Sequence, residues 1–318
     1  MVPKGNGPVM NSTIILFYKY VTIPQPEMTL AWQRRLCTEL KIKGRIIIAP
    51  EGINATLGGS QEAIDQYQQT MDTHPLFGGI DFKTSPGGAE DFPRLRILLK
   101  DEIVRLGISP TELQASDGGR HLTPSEAHEL LNHKPDDLVI LDARNRYESQ
   151  IGTFTGSLTP PIDNFRDLPA YIDAHVEEFK DKTVLMHCTG GIRCERASAY
   201  LKSKGVAKEV LQISGGIHRY VEQYPNGHFR GKNYVFDGRI ALKANDDIVG
   251  RCAHCDVPYD DYSNCINTRC NKQILSCPSC LAQFKNSCSE QCSQLVMAGT
   301  VTLRAIPRKS STPSAEAL

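Results

Sequence analysis

Between residues 13 and 110 the apolar positions switch between a period of two and the three-four spacing of a helix. Residues 13–21 read as a β-run. Leu30, Ala31, Leu36, Cys37 and Leu40 fall on one helical face, and Gly44-Arg45-Ile46-Ile47-Ile48-Ala49 reads as a second strand. Pro50-Glu51-Gly52 turns the chain into a third strand over residues 53–57, which Gly58-Gly59 is expected to break. Ser60 can cap a helix over residues 61–71, and later strands are expected over residues 79–83 and 94–104. This βαββαβ order, with one further strand segment, predicts a ferredoxin-like or acylphosphatase-like α+β sandwich. The stretch carries no catalytic constellation, so Trp32 and His74 read as packing residues. Open sheets of this kind can also dock single-stranded RNA, although the aromatic signature of an RNA-recognition sheet is absent.

Residues 108–121 shift to Ser, Pro, Asp and Gly around Asp117-Gly118-Gly119, which marks a linker placed at 111–121. A new unit opens with Thr123 as N-cap, Pro124 in the first helical turn and an apolar stripe of Ala127, Leu130 and Leu131. Leu138-Val139-Ile140-Leu141 is a continuous apolar strand ending at Asp142-Ala143-Arg144. Val184-Leu185-Met186 is another, stopped by Thr189-Gly190-Gly191 before a helix, and residues 209–213 form a last strand closed by Ser214-Gly215-Gly216-Ile217. Together these predict a parallel α/β unit over 122–228. Sites in such sheets lie at the carboxyl ends of strands, so Asp142, Arg144 and Cys188 are expected to meet. Asp142 either caps a local turn or joins the chemistry, and Arg144 is expected to tie Glu148 or the loop at Cys188.

Cys188 thus sits where a strand ends and a helix begins. Backbone amides of a glycine-permitted loop, the positive end of a helix and nearby Arg193 and Arg196 all favour a thiolate there. A buried structural thiol would need neither the two glycines nor the arginines. Four residues, Thr189, Gly190, Gly191 and Ile192, separate Cys188 from Arg193. Tyrosine phosphatases use five; the shorter ring is similar to a rhodanese loop, whose cysteine carries a persulfide. Cys194 either resolves an oxidised Cys188 or packs under the helix, and His187, on the strand, reads as packing rather than as a base.

A chain of 318 residues with 40% hydrophobic content is long enough for two or three folded domains. Lys+Arg and Asp+Glu both number 36, so a nucleic-acid surface has to be a local patch. The richest run, from Cys188 to Arg251, holds eleven Lys/Arg against six Asp/Glu. Residues 1–10 do not resemble a secretory signal, and Ile14-Ile15-Leu16-Phe17-Tyr18 is too short to span a bilayer, so a cytoplasmic protein with no membrane partner is expected. In that reducing setting cysteines serve as ligands or catalysts rather than disulfides. Eight of the eleven cysteines form close pairs: Cys252 with Cys255, Cys265 with Cys270, Cys277 with Cys280, and Cys288 with Cys292. The spacing predicts two structural zinc ions, an iron–sulfur cluster being the competing reading. Whether consecutive or alternate pairs share a metal is open. So short a segment has to be folded by its metals. Residues 1–12 and the tail 296–318 read as disordered.

Leu141-Asp142-Ala143-Arg144 with Glu148, the run from Cys188 to Arg193, and Ser214-Gly215-Gly216-Ile217 resemble the rhodanese domain. The longer runs Cys188-Thr189-Gly190-Gly191-Ile192-Arg193-Cys194-Glu195 and Gly231-Lys232-Asn233-Tyr234-Val235-Phe236-Asp237, with the cysteine-rich segment after them, resemble the TrhO (YceA) family of tRNA uridine(34) hydroxylases. The likeness covers residues 13 to about 292. It implies an oxidoreductase that places oxygen from molecular oxygen on C5 of the wobble uridine in the tRNA anticodon. It also implies a catalytic Cys188 acting through a persulfide or another oxidised sulfur state, with Arg193 closing its loop. The residues alone show no facial triad for iron and no glycine pattern for a flavin or nicotinamide cofactor. Without the resemblance they support a sulfurtransferase, or a metal-stabilised RNA-binding protein with a vestigial loop. The expected architecture is therefore a multidomain α/β and α+β chain. It comprises a ferredoxin-like or acylphosphatase-like domain at 13–110, a rhodanese α/β domain at 122–228, a basic connector at 229–250, and a zinc-binding segment at 251–295.

Overall fold

The computed structural model describes residues 12–304, which form two compact units dividing between Asp247 and Ile248. Of the disorder expected at residues 1–12 and 296–318, residues 1–11 and 305–318 fall outside the described residues; the rest is a correction, since Ser12 starts the first strand, the last helix runs to Met297, and the Arg304 amide donates to the Ile266 carbonyl.

The first unit begins with β1 (Ser12–Tyr20), α1 (Pro26–Glu39), β2 (Lys43–Ala49), β3 (Gly52–Ser60), α2 (Gln61–Asp72), β4 (Lys83–Pro86) and β5 (Leu95–Leu99). They build a five-stranded sheet in the order β4-β1-β3-β2-β5. Ser60 accepts a hydrogen bond from the Ala63 amide and so starts α2 as expected of an N-cap. Alternation decides the layers: Ile15, Phe17, Ile46, Ile48, Ala55 and Ile97 point to the two helices, where they meet Cys37, Ile64, Tyr67 and Met71. Trp32 stacks on His74 at 4.6 Å between ring centroids and on Phe77 at 5.8 Å. Three strand boundaries differ from expectation. β3 runs through Gly58 and Gly59 because each keeps a partner on β1, Ile14 and Thr13. β4 starts only at Lys83, where pairing with Leu16 begins. β5 ends at Leu99; beyond it the chain turns, and the Glu102 carboxylate accepts from the amides of Leu106 and Gly107.

The opposite face of this sheet carries a row set by register, Lys83–Leu16–Thr56–Arg45–Arg96, across all five strands. Beside it runs a second row, Tyr18–Asn54–Ile47–Leu98.

The chain continues through β6 (Arg120–Leu122), α3 (Pro124–His133), β7 (Leu138–Asp142), α4 (Arg146–Ser149), β8 (Gly152–Phe154), α5 (Leu168–Ala174), β9 (Thr183–His187), α6 (Ile192–Ser203), β10 (Glu209–Ile213) and α7 (Gly216–Gln223). Strands β6-β10-β9-β7 form a parallel sheet. Thr123 and Glu126 complete a reciprocal capping box at α3. The expected linker at 111–121 is partly structured: Arg120 and His121 belong to β6, and Gly119 is held by Ser198 and Gln212. The expected connector at 229–250 is a correction. It carries β11 (Phe229–Tyr234) and β12 (Ala241–Lys243), which with β8 form a three-stranded sheet. Basic residues there mask an alternation that buries Phe229, Gly231 and Asn233.

The second unit holds β13 (Tyr262–Asn264) paired antiparallel with β14 (Gln273–Leu275), then α8 (Pro278–Gln283) and α9 (Glu290–Met297). Among the described residues, no helix is long and apolar enough to cross a membrane.

Candidate active site and cysteine clusters

Cys188 follows directly on β9, and the loop ends at Gly191, the N-cap of α6 with a φ of 101°. That left-handed conformation suits glycine and turns the amides inward; the Gly191 amide donates to Cys188 Sγ at 3.2 Å. Behind the loop, the amides of Ile217 and His218 donate to the carbonyls of Cys188 and Thr189 at 2.9 and 3.0 Å. Gly216 has to be glycine, since a Cβ there would lie 2.4 Å from the Cys188 carbonyl oxygen. Complete burial pushes the Cys188 thiol up, but the Cys194 thiol, the Arg193 charge and the amides of Cys194 and Arg193 outweigh it and bring it down to about 6. Cys194 moves the other way, well above a normal thiol, from burial and its bond to Cys188. One sulfur is therefore charged and its neighbour holds a proton.

Arg193 turns away from the sulfur into a buried two-pronged pair with Glu148, at 2.5 and 2.7 Å, and also donates to Thr189 Oγ1. Glu148 is thus held by Arg193, and Arg144 makes neither of the two ties expected of it, to Glu148 or to the Cys188 loop. Arg144 instead grips both oxygens of Asp142, at 2.8 and 2.7 Å, and the Gly152 carbonyl. The reason is reach: Asp142 also accepts from the Arg144 amide, so one turn fixes both side chains. Asp142 and Cys188 do come to adjacent strand ends, because Asp142 is in register with His187. His187 is buried and bonded through Nε2 to Ser157 Oγ at 3.0 Å; burial drives its pKa down to about 4, so the ring is neutral near pH 7.

Sequence reasoning missed the other wall of the site. The open face of the N-terminal sheet and the Cys188 loop enclose a cavity of about 790 Å³, lined among others by Leu16, Tyr18, Arg45, Gly190, Arg193 and Phe236. Tyr18 donates to Glu195 at 2.8 Å and Tyr20 to the Ile192 carbonyl at 3.3 Å, clamping β1 onto the start of α6. Arg196, fully buried, is paired with Glu51 at 2.9 Å and Glu102 at 3.7 Å. A signal was present: Ile14-Ile15-Leu16-Phe17-Tyr18 is apolar on both faces, which marks a strand covered on both sides. Phe236, 51% exposed, holds its ring 5.7 Å from the Arg193 guanidinium and offers the cavity a flat apolar face.

In the second unit the eight cysteines gather as two groups, Cys252, Cys255, Cys277 and Cys280, and Cys265, Cys270, Cys288 and Cys292. The sulfurs of each lie within 4.8 Å of one another. Alternate pairs therefore meet. Four thiolates about 2.3 Å from a tetrahedral zinc stand about 3.8 Å apart; Cys255–Cys277 is 3.7 Å, Cys270–Cys288 3.5 Å and Cys288–Cys292 3.7 Å. The amides of Cys277 and Cys288 donate to Cys252 and Cys265 sulfur, each at 3.4 Å, as suits thiolate ligands. Both donor sets fit a metal ion.

Comparison with known proteins matches a UPF0176 acylphosphatase-like domain at residues 12–103, a rhodanese-like domain at 123–223 and a rhodanese C-terminal domain at 230–293. The tRNA uridine(34) hydroxylase of Corynebacterium jeikeium (strain K411) is 39% identical over 303 residues, covering 90% of this chain and 97% of that one. That of Pseudarthrobacter chlorophenolicus is 42% identical over 281 residues, covering 85% and 94%. The chain belongs to the tRNA uridine(34) hydroxylase family. The family likeness spans both walls of the cavity, and the third matched domain takes in both cysteine groups.

Proposed function

We propose that this protein hydroxylates C5 of uridine 34 in the tRNA anticodon, in the cytoplasm, with Cys188 as the reacting sulfur, molecular oxygen as co-substrate and two structural zinc ions. The observation that carries the reading is a thiolate, brought down to about 6, held by amides in a loop that forms one wall of a cavity large enough for a nucleoside. Arg193, tied to Glu148, sets the field at that loop, and Thr189, Gly190, Gly191, Ile192 and Cys194 shape it. Asp142 and Arg144 brace the neighbouring strand end. Exchange of C5–H for C5–OH with dioxygen releases one water and needs two electrons and two protons. A thiolate and a contacting thiol that close to a disulfide supply two electrons and one proton, the second proton coming from solvent, and Cys188 with Cys194 is such a pair.

The test is to incubate the purified protein with tRNA bearing uridine 34, with and without oxygen, and to analyse nucleosides by mass spectrometry. 5-Hydroxyuridine is expected only with oxygen, carrying label from isotopic dioxygen. Absence of it, with thiocyanate formed from thiosulfate and cyanide, would return the site to sulfur transfer.

Because the charged form of Cys188 is the reactive one, the single-turnover rate is expected to hold from pH 8 to about 6.5 and to fall below about 6 as the sulfur takes a proton. A rate still rising between pH 7 and 9 would mean an ordinary thiol. For the metals, two zinc ions per chain are expected by elemental analysis. Changing Cys252 and Cys280 together to serine should remove one ion, whereas changing Cys252 and Cys265 should remove both, since these two belong to different groups. Consecutive-pair sharing would predict one ion lost from the second variant's Cys252–Cys265 set.

A further inference from the structure

The cationic run that the sequence singles out between Cys188 and Arg251 is spent inside the chain. Arg193 and Arg196 are held by Glu148 and Glu51; Lys204 and Lys208 by Asp173 and Asp137; Arg219 and Arg239 by Asp81 and Asp237. Free positive charge lies elsewhere. Arg45 on β2 and Arg96 on β5 stand opposite each other in register, on the open face of the N-terminal sheet, and neither has a carboxylate partner among the described residues. Like charges directly across a ladder destabilise it, and Arg45 feels this: partial burial first, then the Arg96 charge, lowers its pKa.

The pair also joins two hollows. Arg45, with Lys100 and Arg105, lines the cavity at the Cys188 loop. Arg96, with Arg94 and Arg34, lines a second hollow of about 380 Å³ along the edge strand β5. Of the cavity's three acids, Asp237 is engaged by Arg239 and Glu102 by Arg196, which leaves Asp101 as a single carboxylate against Arg45, Lys100 and Arg105. A run of unpaired guanidiniums thus leads from the outer edge of the sheet to the cavity. Edge strands do use charge to repel other strands, but Arg45 lies on an interior strand and gains nothing from that.

We infer that Arg45, Arg94 and Arg96 form a track for the phosphodiester backbone of single-stranded RNA, leading the nucleotides next to the reacting uridine along β5 while that base enters the cavity. The inference rests on the reading under Proposed function and adds where the substrate backbone lies. Guanidiniums suit it because each presents a fork of donors to phosphate oxygens.

The experiment compares the parent chain with the double variant Arg94→Gln/Arg96→Gln and, as a control, Lys180→Gln on a distant surface. Each is titrated with an anticodon stem-loop RNA bearing uridine 34 at several salt concentrations, and steady-state hydroxylation is measured alongside with a thiol reductant present to reopen the cysteine pair after each turnover. The double variant is expected to bind about tenfold or more weakly at low salt. The slope of log affinity on log salt should flatten by about 1 to 2, and KM should rise while kcat stays within about twofold. Unaltered thermal unfolding confirms that the exposed substitutions leave the fold intact. If the parent hydroxylates this RNA and the double variant keeps its affinity and salt slope, the track is overturned and the catalytic reading stands. If the parent neither binds nor hydroxylates it, both fall.

Discussion

Changing Cys188 to serine is expected to lower 5-hydroxyuridine formation by at least about a thousandfold while changing affinity for tRNA by less than about twofold. The asymmetry follows from the site. The loop's amides, the Arg193 charge and the Cys194 thiol all act on one sulfur, and their sum brings it down to about 6. A hydroxyl in its place stays protonated at any working pH, and no oxidised sulfur state or persulfide forms on it. Binding does not share the loss, because Cys188 is fully buried and the cavity is lined by its neighbours Thr189, Gly190, Ile192 and Arg193. Nucleoside mass spectrometry after single turnover measures the first effect and RNA titration the second. Hydroxylation retained in the serine variant would remove the thiol from the mechanism. Cys194→Ser separates the two sulfurs. Serine can still donate to the Cys188 thiolate, so first-turnover loss in that variant reports the electron count rather than the acidity of Cys188.

Chemistry local in sequence was legible; chemistry assembled across the fold was not. The strand–loop–helix at Cys188 is written in fifteen consecutive residues, and the glycines that shape it leave a visible break in the apolar pattern. The cysteine spacing likewise gave two four-sulfur groups, yet only the folded chain shows alternate pairs meeting, since spacing alone permits either arrangement. The cavity's far wall depended on which face of β1 stayed uncovered by helices, a question of register between strands far apart in sequence. Charge misled for a related reason. Counting Lys and Arg along residues 188–251 marks a basic patch, but Arg196 finds Glu51 and Arg219 finds Asp81, each more than a hundred residues away. Arg45 and Arg96, which have no carboxylate partner among the described residues, lie instead on β2 and β5, far from that run in sequence.

Pairing across the fold also makes the loss of Glu148 costly. Glu148 is fully buried, Arg193 is 5% exposed, and the two are joined by parallel bonds between α4 and α6. In Glu148→Gln the buried guanidinium keeps its charge but loses its counter-charge, at a cost of about 3–5 kcal/mol. Denaturant unfolding followed through Trp32, the single tryptophan, in the same compact unit, measures it. Arg193→Met in the Glu148→Gln background removes the orphaned charge, and stability is expected to return to within about 2 kcal/mol of the parent. Hydroxylation is not expected to return with it, because the charge that lowers the Cys188 thiol is gone, so its pKa should rise and the pH profile should move upward. A single variant losing less than about 1 kcal/mol would mean that Arg193 escapes to the cavity, where Phe236 already faces it. A double variant that regains stability and hydroxylates with the parent's pH profile would show that Arg193 holds the loop in place without setting the charge of its sulfur.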